Sequence, residues 1–322
     1  MMSDKEFVIA TFNLENLDDK DKLWPKHRDA LKPMLGRLEA DLLFLQEVNT
    51  VEALNEILKD SCYEGYEQAI TKTEEGHPYK ERNLVILSRY KIQSTNQYLN
   101  HFTRPPVWRQ ITEEAEGEIT EKKPKEVLWE RPILHCEISM PKGRVLHAID
   151  LHLKSKIPSD IKGQKKGQYL WLSHEGWAEG SFLSSVKRVG QALETRKLLS
   201  RLFKQDPEAM IVVAGDFNAE IGSVPFQVIV GSVEETSNPD LRSTVMIPCE
   251  YDVPPDQRYS LIHHGKGEMI DHVIVSQALY PRWIETDIYN EILQDQSIAF
   301  ATKAKFPESD HAPIAAKFRP LD

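Results

Sequence analysis

Apolar, strand-like stretches recur along the whole chain, and several of them are apolar on both faces. Strands of that kind belong to sheets covered on each side, by helices or by a second sheet. They fall at residues 7–13, 42–46, 84–88, 133–138, 145–153, 211–215, 259–262, 272–275 and 314–318. Helical periodicity appears at 51–60 and most clearly at 184–203, where Val186, Val189, Leu193 and Leu199 are among the apolar positions. Residues 28–39 also carry it, although Pro33 lies inside and is expected to end or kink the helix. Neither an internal repeat nor a Gly/Ser linker interrupts the series, so residues 1–322 read as one α/β domain.

What sets these strands apart is how they end. FNLEN places Asn13 there, LLFLQEV Glu47, YKERNLVILS Glu81, AIDLHLKS His152, VVAGDFNAE Asp216 and Asn218, and MIDHVIVS Asp271. ESDHAPI adds Asp310 and His311 near the C-terminus. One apolar strand ending in a carboxylate is common. The ordered set supplies hard oxygen ligands, two imidazoles and carboxylates to orient them, which phosphoryl-ester hydrolysis requires.

Composition narrows the partners. With 322 residues, 40% apolar and 28% charged, the chain has enough apolar residues for a substantial core. A net charge of −10 argues against holding nucleic acid by global electrostatics, although bound cations and a local basic patch can serve at a site. No apolar run approaches the length of a membrane span, and no protein partner is inferable. The first residues lack the basic and apolar regions of a secretory signal, and cytoplasmic residence is the expectation. Cys62, Cys136 and Cys249 are widely spaced and odd in number, against a disulfide framework or a zinc cluster.

Two segments stand apart. Residues 112–126 are almost wholly polar and charged, as at a solvated hairpin tip or in a long loop. Residues 154–171 carry Lys154, Lys156, Lys162, Lys165 and Lys166 against one acid, Asp160, and run on to Tyr169 and Trp171. Directly after His152, such a segment could meet phosphates and stack bases. It reads equally as a solvated loop whose aromatics return to the core.

Individual residues carry the chemistry. In GDFNAE, Asp216 and Asn218 are spaced to project together, and can orient a water and hold a phosphate oxygen; they could equally cap a local turn. Glu47 closes an apolar run that would bury an uncompensated carboxylate at high cost, which a divalent cation relieves; capping of the following helix is the alternative. His152 and His311 are the acid–base candidates, the second beside Asp310. Strand alternation puts Asp150 and His152 on one face. The remaining histidines, His272 among them, read as structural.

Together these segments resemble the endonuclease/exonuclease/phosphatase superfamily, in order and over essentially the whole chain. GDFNAE, the HLKSK after His152, IDHVIVS and SDHAPI carry the resemblance most specifically. It implies a four-layer sandwich of two packed mixed β-sheets flanked by helices, with the site at one end. It also implies Mg²⁺, with Mn²⁺ as substitute, held by Glu47 with Asn13 and Asp310 nearby. Asp216 and Asn218 would position water and phosphate. His311 would be oriented by Asp271, and His152 by Glu81. Tyr79 falls where the deoxyribonuclease branch has a DNA-contacting tyrosine, and Arg131 where it has an arginine near the phosphate. Asn49 stands where that branch has a minor-groove arginine. Lys154, Lys162, Lys165 and Lys166 complete the expected substrate contacts. The implied activity is metal-dependent hydrolysis of phosphodiesters in DNA or RNA, with small or lipid-linked phosphate esters as the alternative substrate. His311 or Asp216 would take the water proton, and His152 would protonate the leaving oxygen.

Overall fold

The computed structural model describes residues 6–113, 119–129, 131–167, 169–302 and 305–320. The strands of its two main sheets are, in chain order, β1 (Phe7–Leu17), β2 (Leu42–Val48), β3 (Glu67–Ile70), β4 (Asn83–Ser88), β5 (Ile92–Tyr98) and β6 (Ile133–Met140). They continue with β7 (Arg144–His152), β8 (Met210–Asp216), β9 (Ile247–Pro248), β10 (Asp271–Val275), β11 (Trp283–Ile288) and β12 (Ile314–Phe318). One six-stranded sheet has the order β11-β12-β1-β2-β4-β3 and the other β9-β10-β8-β7-β6-β5. Each is antiparallel except for one central parallel pair, β1–β2 in the first and β7–β8 in the second.

The sheets pack face to face because both are apolar on both sides. Phe7, Ile9, Leu42, Phe44 and Ile86 of the first meet Leu134, Cys136, Ala148, Val212, Ala214 and Val273 of the second. The outer face of the first sheet is covered by helices α1 (Trp24–Leu38) and α2 (Val51–Leu58), through Leu31, Leu35, Leu54 and Ile57. The second is covered by α3 (His174–Gln205) and α4 (Val224–Val230), through Leu198, Leu199, Phe203 and Phe226. The result is the expected four-layer sandwich. Truncating a filled position such as Phe44, fully buried, costs about 3–5 kcal/mol.

Several local expectations change. Pro33 does not end its helix, which runs on through Leu38. Helix α3 starts ten residues before the apolar periodicity does, at His174 instead of Ser184, because Ser173 caps it by accepting the Gly176 amide. The 259–262 stretch joins neither main sheet; Leu261–His263 pairs with Lys266–Glu268, and Ile262 bridges to Asp295. The polar 112–126 segment is a hairpin, with Ile111 opposite Glu121, whose tip at 114–118 lies outside the described residues. Within the lysine-rich segment, Lys165–Lys166 pairs with Leu170–Trp171 as a short ribbon.

Candidate active site at one rim of the sandwich

The inward-facing positions of the central strands form rows that change from apolar to polar toward one rim. On β1 the row is Phe7, Ile9, Thr11, Asn13; on β7 it is Leu146, Ala148, Asp150, His152; on β8 it is Val212, Ala214, Asp216. On antiparallel β10 it reads in reverse, Val275, Val273, Asp271. Both parallel pairs therefore end at this rim, where α/β sheets gather their ligands, and their antiparallel neighbours begin there. The register places His152 beside Asp216 and Asp216 beside Asp271.

Contacts between the two sheets close the cluster. Asn13 Nδ2 donates to Asp216 Oδ2 at 3.1 Å, and His152 Nε2 lies 3.3 Å from the same oxygen and 3.5 Å from Glu47 Oε1. Asn218 Nδ2 also donates to Asp216 Oδ2, at 2.9 Å, and its amide to Asp216 Oδ1, at 2.8 Å. Asp216 thus caps the local turn of GDFNAE and at the same time faces Asn13 and His152. Thr50, not Glu47, caps α2. Glu47 reaches the site because its backbone is left-handed (φ 60°), as are Glu15, Asn16 and Asn218 (φ 46°, 57° and 47°). Such strain in non-glycine residues concentrates at functional sites. Gly215, at φ 130°, is required for a different reason: a Cβ there would stand 2.1 Å from the Leu151 carbonyl oxygen.

The two histidines sit in opposite electrostatic settings. His311 Nδ1 is 2.7 Å from Asp271 Oδ2, and its Nε2 is 3.8 Å from Asp310 Oδ1. Burial opposes its charge, but Asp271 and Asp310 outweigh burial and hold the imidazole well above its ordinary pKa. His152 is driven well below its ordinary value, by burial first and then by Arg131 and His311. Burial, followed by the Asp271 charge, pushes Asp216 up to about 7.

Glu15 is the residue that sequence reading passed over. Its Oε2 accepts the Asp310 amide at 2.9 Å, and burial, reinforced by Asp310 and, more weakly, by Glu47, pushes it up to about 8. FNLEN did contain the signal, since Asn13 and Glu15 are two apart in a strand. Glu15, Glu47, Asp310 and Asn13 carry oxygen atoms of the kind a hard cation takes, and the repulsion that Asp310 and Glu47 exert on Glu15 is charge that a cation would neutralise. Among the described residues, the His and carboxylate donor atoms that come within 4.8 Å of one another and could hold an ion are those of Asp216, Asp271 and His311, and Asp271 Oδ1 is buried without a hydrogen-bond partner.

Other expected residues fall elsewhere. Glu81 does not pair with His152: it is exposed beside Arg82, whose left-handed backbone (φ 57°) turns the chain into β4. His152 Nδ1 is left buried without a partner. Tyr79 is half-buried, its backbone held by Asn83 and its hydroxyl toward Gln97, with no contact to the cluster among the described residues. Arg131 donates to the Leu153 carbonyl at 2.9 Å, next to His152. Lys154 folds back on Ser155 and the Ile157 carbonyl, Lys156 pairs with Glu220 and Glu268, and Lys165 pairs with Asp160. Lys162 and Lys166 are exposed. His272, read as structural, bridges Glu250 and the Ala219 carbonyl and so steadies the loop that carries Asn218.

A family model for the Endonuclease/Exonuclease/phosphatase family matches residues 10–311, a span that takes in every segment of this cluster. The chain belongs to that family. Its members are hydrolases of phosphoester bonds that use divalent metals, which makes this chain a hydrolase of the phosphodiesterase or phosphatase type. Solved structures share the fold at low identity. Truncated Caenorhabditis elegans TDP2 superposes with a TM-score of 0.59 at 15% identity, covering 98% of each chain. The mannosyl-6-phosphatase Bt3783 of Bacteroides thetaiotaomicron gives 0.58 at 14%, covering 96% of this chain and 98% of the other. The 3′ phosphatase NExo from Neisseria, bound to product DNA hairpin, gives 0.56 at 15%, covering 97% and 99%. No curated protein matches the sequence. Among the described residues no helix is long and apolar enough to cross a membrane.

Proposed function

We propose that this protein is a Mg²⁺-dependent phosphodiesterase that cleaves DNA or RNA by in-line attack of water on phosphorus. The observation that carries the hydrolytic reading is the meeting of Asn13, Glu47, His152, Asp216, Asn218, Asp271 and His311 at one rim, although they lie on six different segments of the chain. The basic, aromatic segment that leaves the strand of His152 supports nucleic acid as the substrate. Mg²⁺ held by Glu47, Asn13 and Asp310, with Glu15 beside them, would supply neutralisation of the charge that builds on the phosphate oxygens.

The chain's own residues divide the remaining work. Of the two bases left open by the sequence, Asp216 is favoured: Asp271 and Asp310 favour the charged form of His311, whereas Asp216, raised by burial to about 7, is a carboxylate matched to accept a proton from water. Asn218 fixes the rotamer of Asp216. The His311 imidazolium, steadied by Asp271, faces the phosphate as a charged donor. His152, neutral, contributes a hydrogen bond and not the leaving-group proton that the family resemblance implies. A second reading, hydrolysis of a small phosphate ester, draws on the internal pairing of Lys154, Lys156 and Lys165. Turnover of plasmid DNA, RNA, bis-p-nitrophenyl phosphate and p-nitrophenyl phosphate, each with and without Mg²⁺, separates the two. Cleavage of the monoester alone would overturn the phosphodiesterase assignment.

A further inference from the structure

Beyond the rim, the chain exposes an unusual run of large apolar side chains: Tyr169, Leu170 and Leu172 are each about 60% exposed, and Trp177 and Phe182 each 49%. Monomeric proteins seldom leave such a run uncovered without a binding role. Between the lysine-rich ribbon and the first turn of α3 lies a cleft of about 520 Å³ lined by Trp171, Leu172, Ser173, His174 and Trp177. That volume falls within the roughly 300–1,000 Å³ typical of small-ligand pockets. We propose that this cleft is a base-stacking subsite for a single-stranded stretch of the nucleic acid cut at the rim, an inference that rests on the nuclease reading above.

The cleft is built, not incidental. Trp171 is seated against Gly180, where an added Cβ would come within 2.8 Å of the indole. The Lys165 ammonium stands 5.1 Å from the Trp171 ring centroid and is steered by Asp160. Ser173 ties the floor together, donating to Gln164 while accepting the Gly176 amide. Two indoles offer the flat faces on which bases of any sequence stack. Lys162 and Lys166, exposed on the same segment, offer charges to the flanking phosphates. A bilayer fits less well. Asp160 and Glu175 are exposed among these lysines, so a flat anionic surface would meet acids and bases at once. A single strand can thread past them.

Helix α3 sets the distance. It runs from the cleft to Gln191, whose side chain accepts the Lys154 amide two residues from His152. At 1.5 Å rise per residue, the fourteen positions from Trp177 to Gln191 span about 21 Å. A single strand stacked as in a duplex, at about 3.4 Å per phosphate, needs about six nucleotides to reach from the rim to the cleft.

The test is a ladder of single-stranded oligonucleotides of two, four, eight and twelve residues, each assayed for kcat/KM with Mg²⁺. A step of about ten-fold or more between four and eight nucleotides is expected, on the scale of one stacked base. Trp177→Leu should flatten the step and Trp177→Phe should largely keep it, because the aromatic face and not bulk is what matters. Circular dichroism and thermal melting confirm that the variants fold; if Trp177→Leu does not, Trp177→Gln, which also removes the aromatic face, replaces it with the same expectation. No step, or a step that survives Trp177→Leu, overturns the subsite while leaving the nuclease reading standing. No cleavage at any length, with bis-p-nitrophenyl phosphate still hydrolysed, overturns both. Sedimentation with phosphatidylserine vesicles that Trp177→Leu abolishes would reassign the cleft to a membrane surface.

Discussion

The rim of the sandwich and the lysine-rich segment beside it are joined at Leu153 and built on opposite principles. At the rim, ionisable groups are buried and face one another: His152, Asp216, Asp271 and His311 are each at most 8% exposed. Their charges are set by neighbours more than by solvent. In the segment Lys156, Lys162 and Lys166 are exposed and Lys154 and Lys165 partly buried, and three of the five are already engaged within the chain. The difference teaches that a histidine–carboxylate cluster needs a rigid frame of strand ends, whereas substrate contacts can be carried on a short ribbon and the first turn of a helix. It also separates the consequences of mutation. Rim changes should affect every phosphodiester alike, and segment changes only a polymeric one.

The largest effect should come from His311→Ala, which removes the charged donor at the rim and should lower kcat by about 10²–10⁴-fold on both nucleic acid and bis-p-nitrophenyl phosphate. A loss confined to nucleic acid would erase the contrast between the regions. Glu47→Gln comes next. It should weaken Mg²⁺ binding by about ten- to hundred-fold, with partial recovery of activity at high Mg²⁺, while His311→Ala leaves Mg²⁺ affinity nearly intact. Calorimetry finding equal losses of metal affinity in both would merge two roles kept apart here.

Acidity sharpens the comparison further. If Asp216 accepts the water proton, kcat/KM should fall roughly ten-fold per pH unit below about 7, on either substrate. Stability should move the other way. A carboxyl raised from 3.8 to about 7 on folding binds its proton more tightly in the native state. Its stabilising contribution is full below 3.8 and lost as pH rises through about 7. Glu15, raised from 4.5 to about 8, adds to the same trend. The metal-free thermal midpoint should therefore decline from pH 5 to pH 8, and Mg²⁺ should raise it more at pH 8 than at pH 5. The smallest effect belongs to the segment. Replacing Lys162 and Lys166 with alanine should raise KM for nucleic acid a few-fold. It should also reduce the slope of log affinity against log salt by about 1.4, because two phosphates of a single strand would no longer be neutralised. Hydrolysis of the small diester should show no change in salt dependence.

Much of this was legible from the chain alone. Alternation and apolar runs located the eight inner strands of the two sheets, because side chains point to opposite faces at period two and both faces there are covered; the four edge strands, β3, β5, β9 and β11, are shorter or more polar and gave no such signal. The polar residues ending those runs marked Asn13, Glu47, His152, Asp216 and Asp271, and the pairing of His311 with Asp271 followed from the family resemblance. Where reading failed, the cause was backbone geometry that no pattern announces. Left-handed turns at Glu47 and Arg82 bring one carboxylate in and leave Glu81 out.

What the sequence determined by itself was the inventory: covered strands, their order, and the hard donors and imidazoles at their ends. How tightly each of these groups holds a proton is set by the folded arrangement. His152 and His311 are the same side chain with the same intrinsic basicity, yet burial, then Arg131 and His311, lower the pKa of one, while Asp271 and Asp310 outweigh burial and raise that of the other. That outcome depends on burial and on charges contributed by several different segments of the chain, and electrostatic energy is a function of distance in space, not of position along the chain.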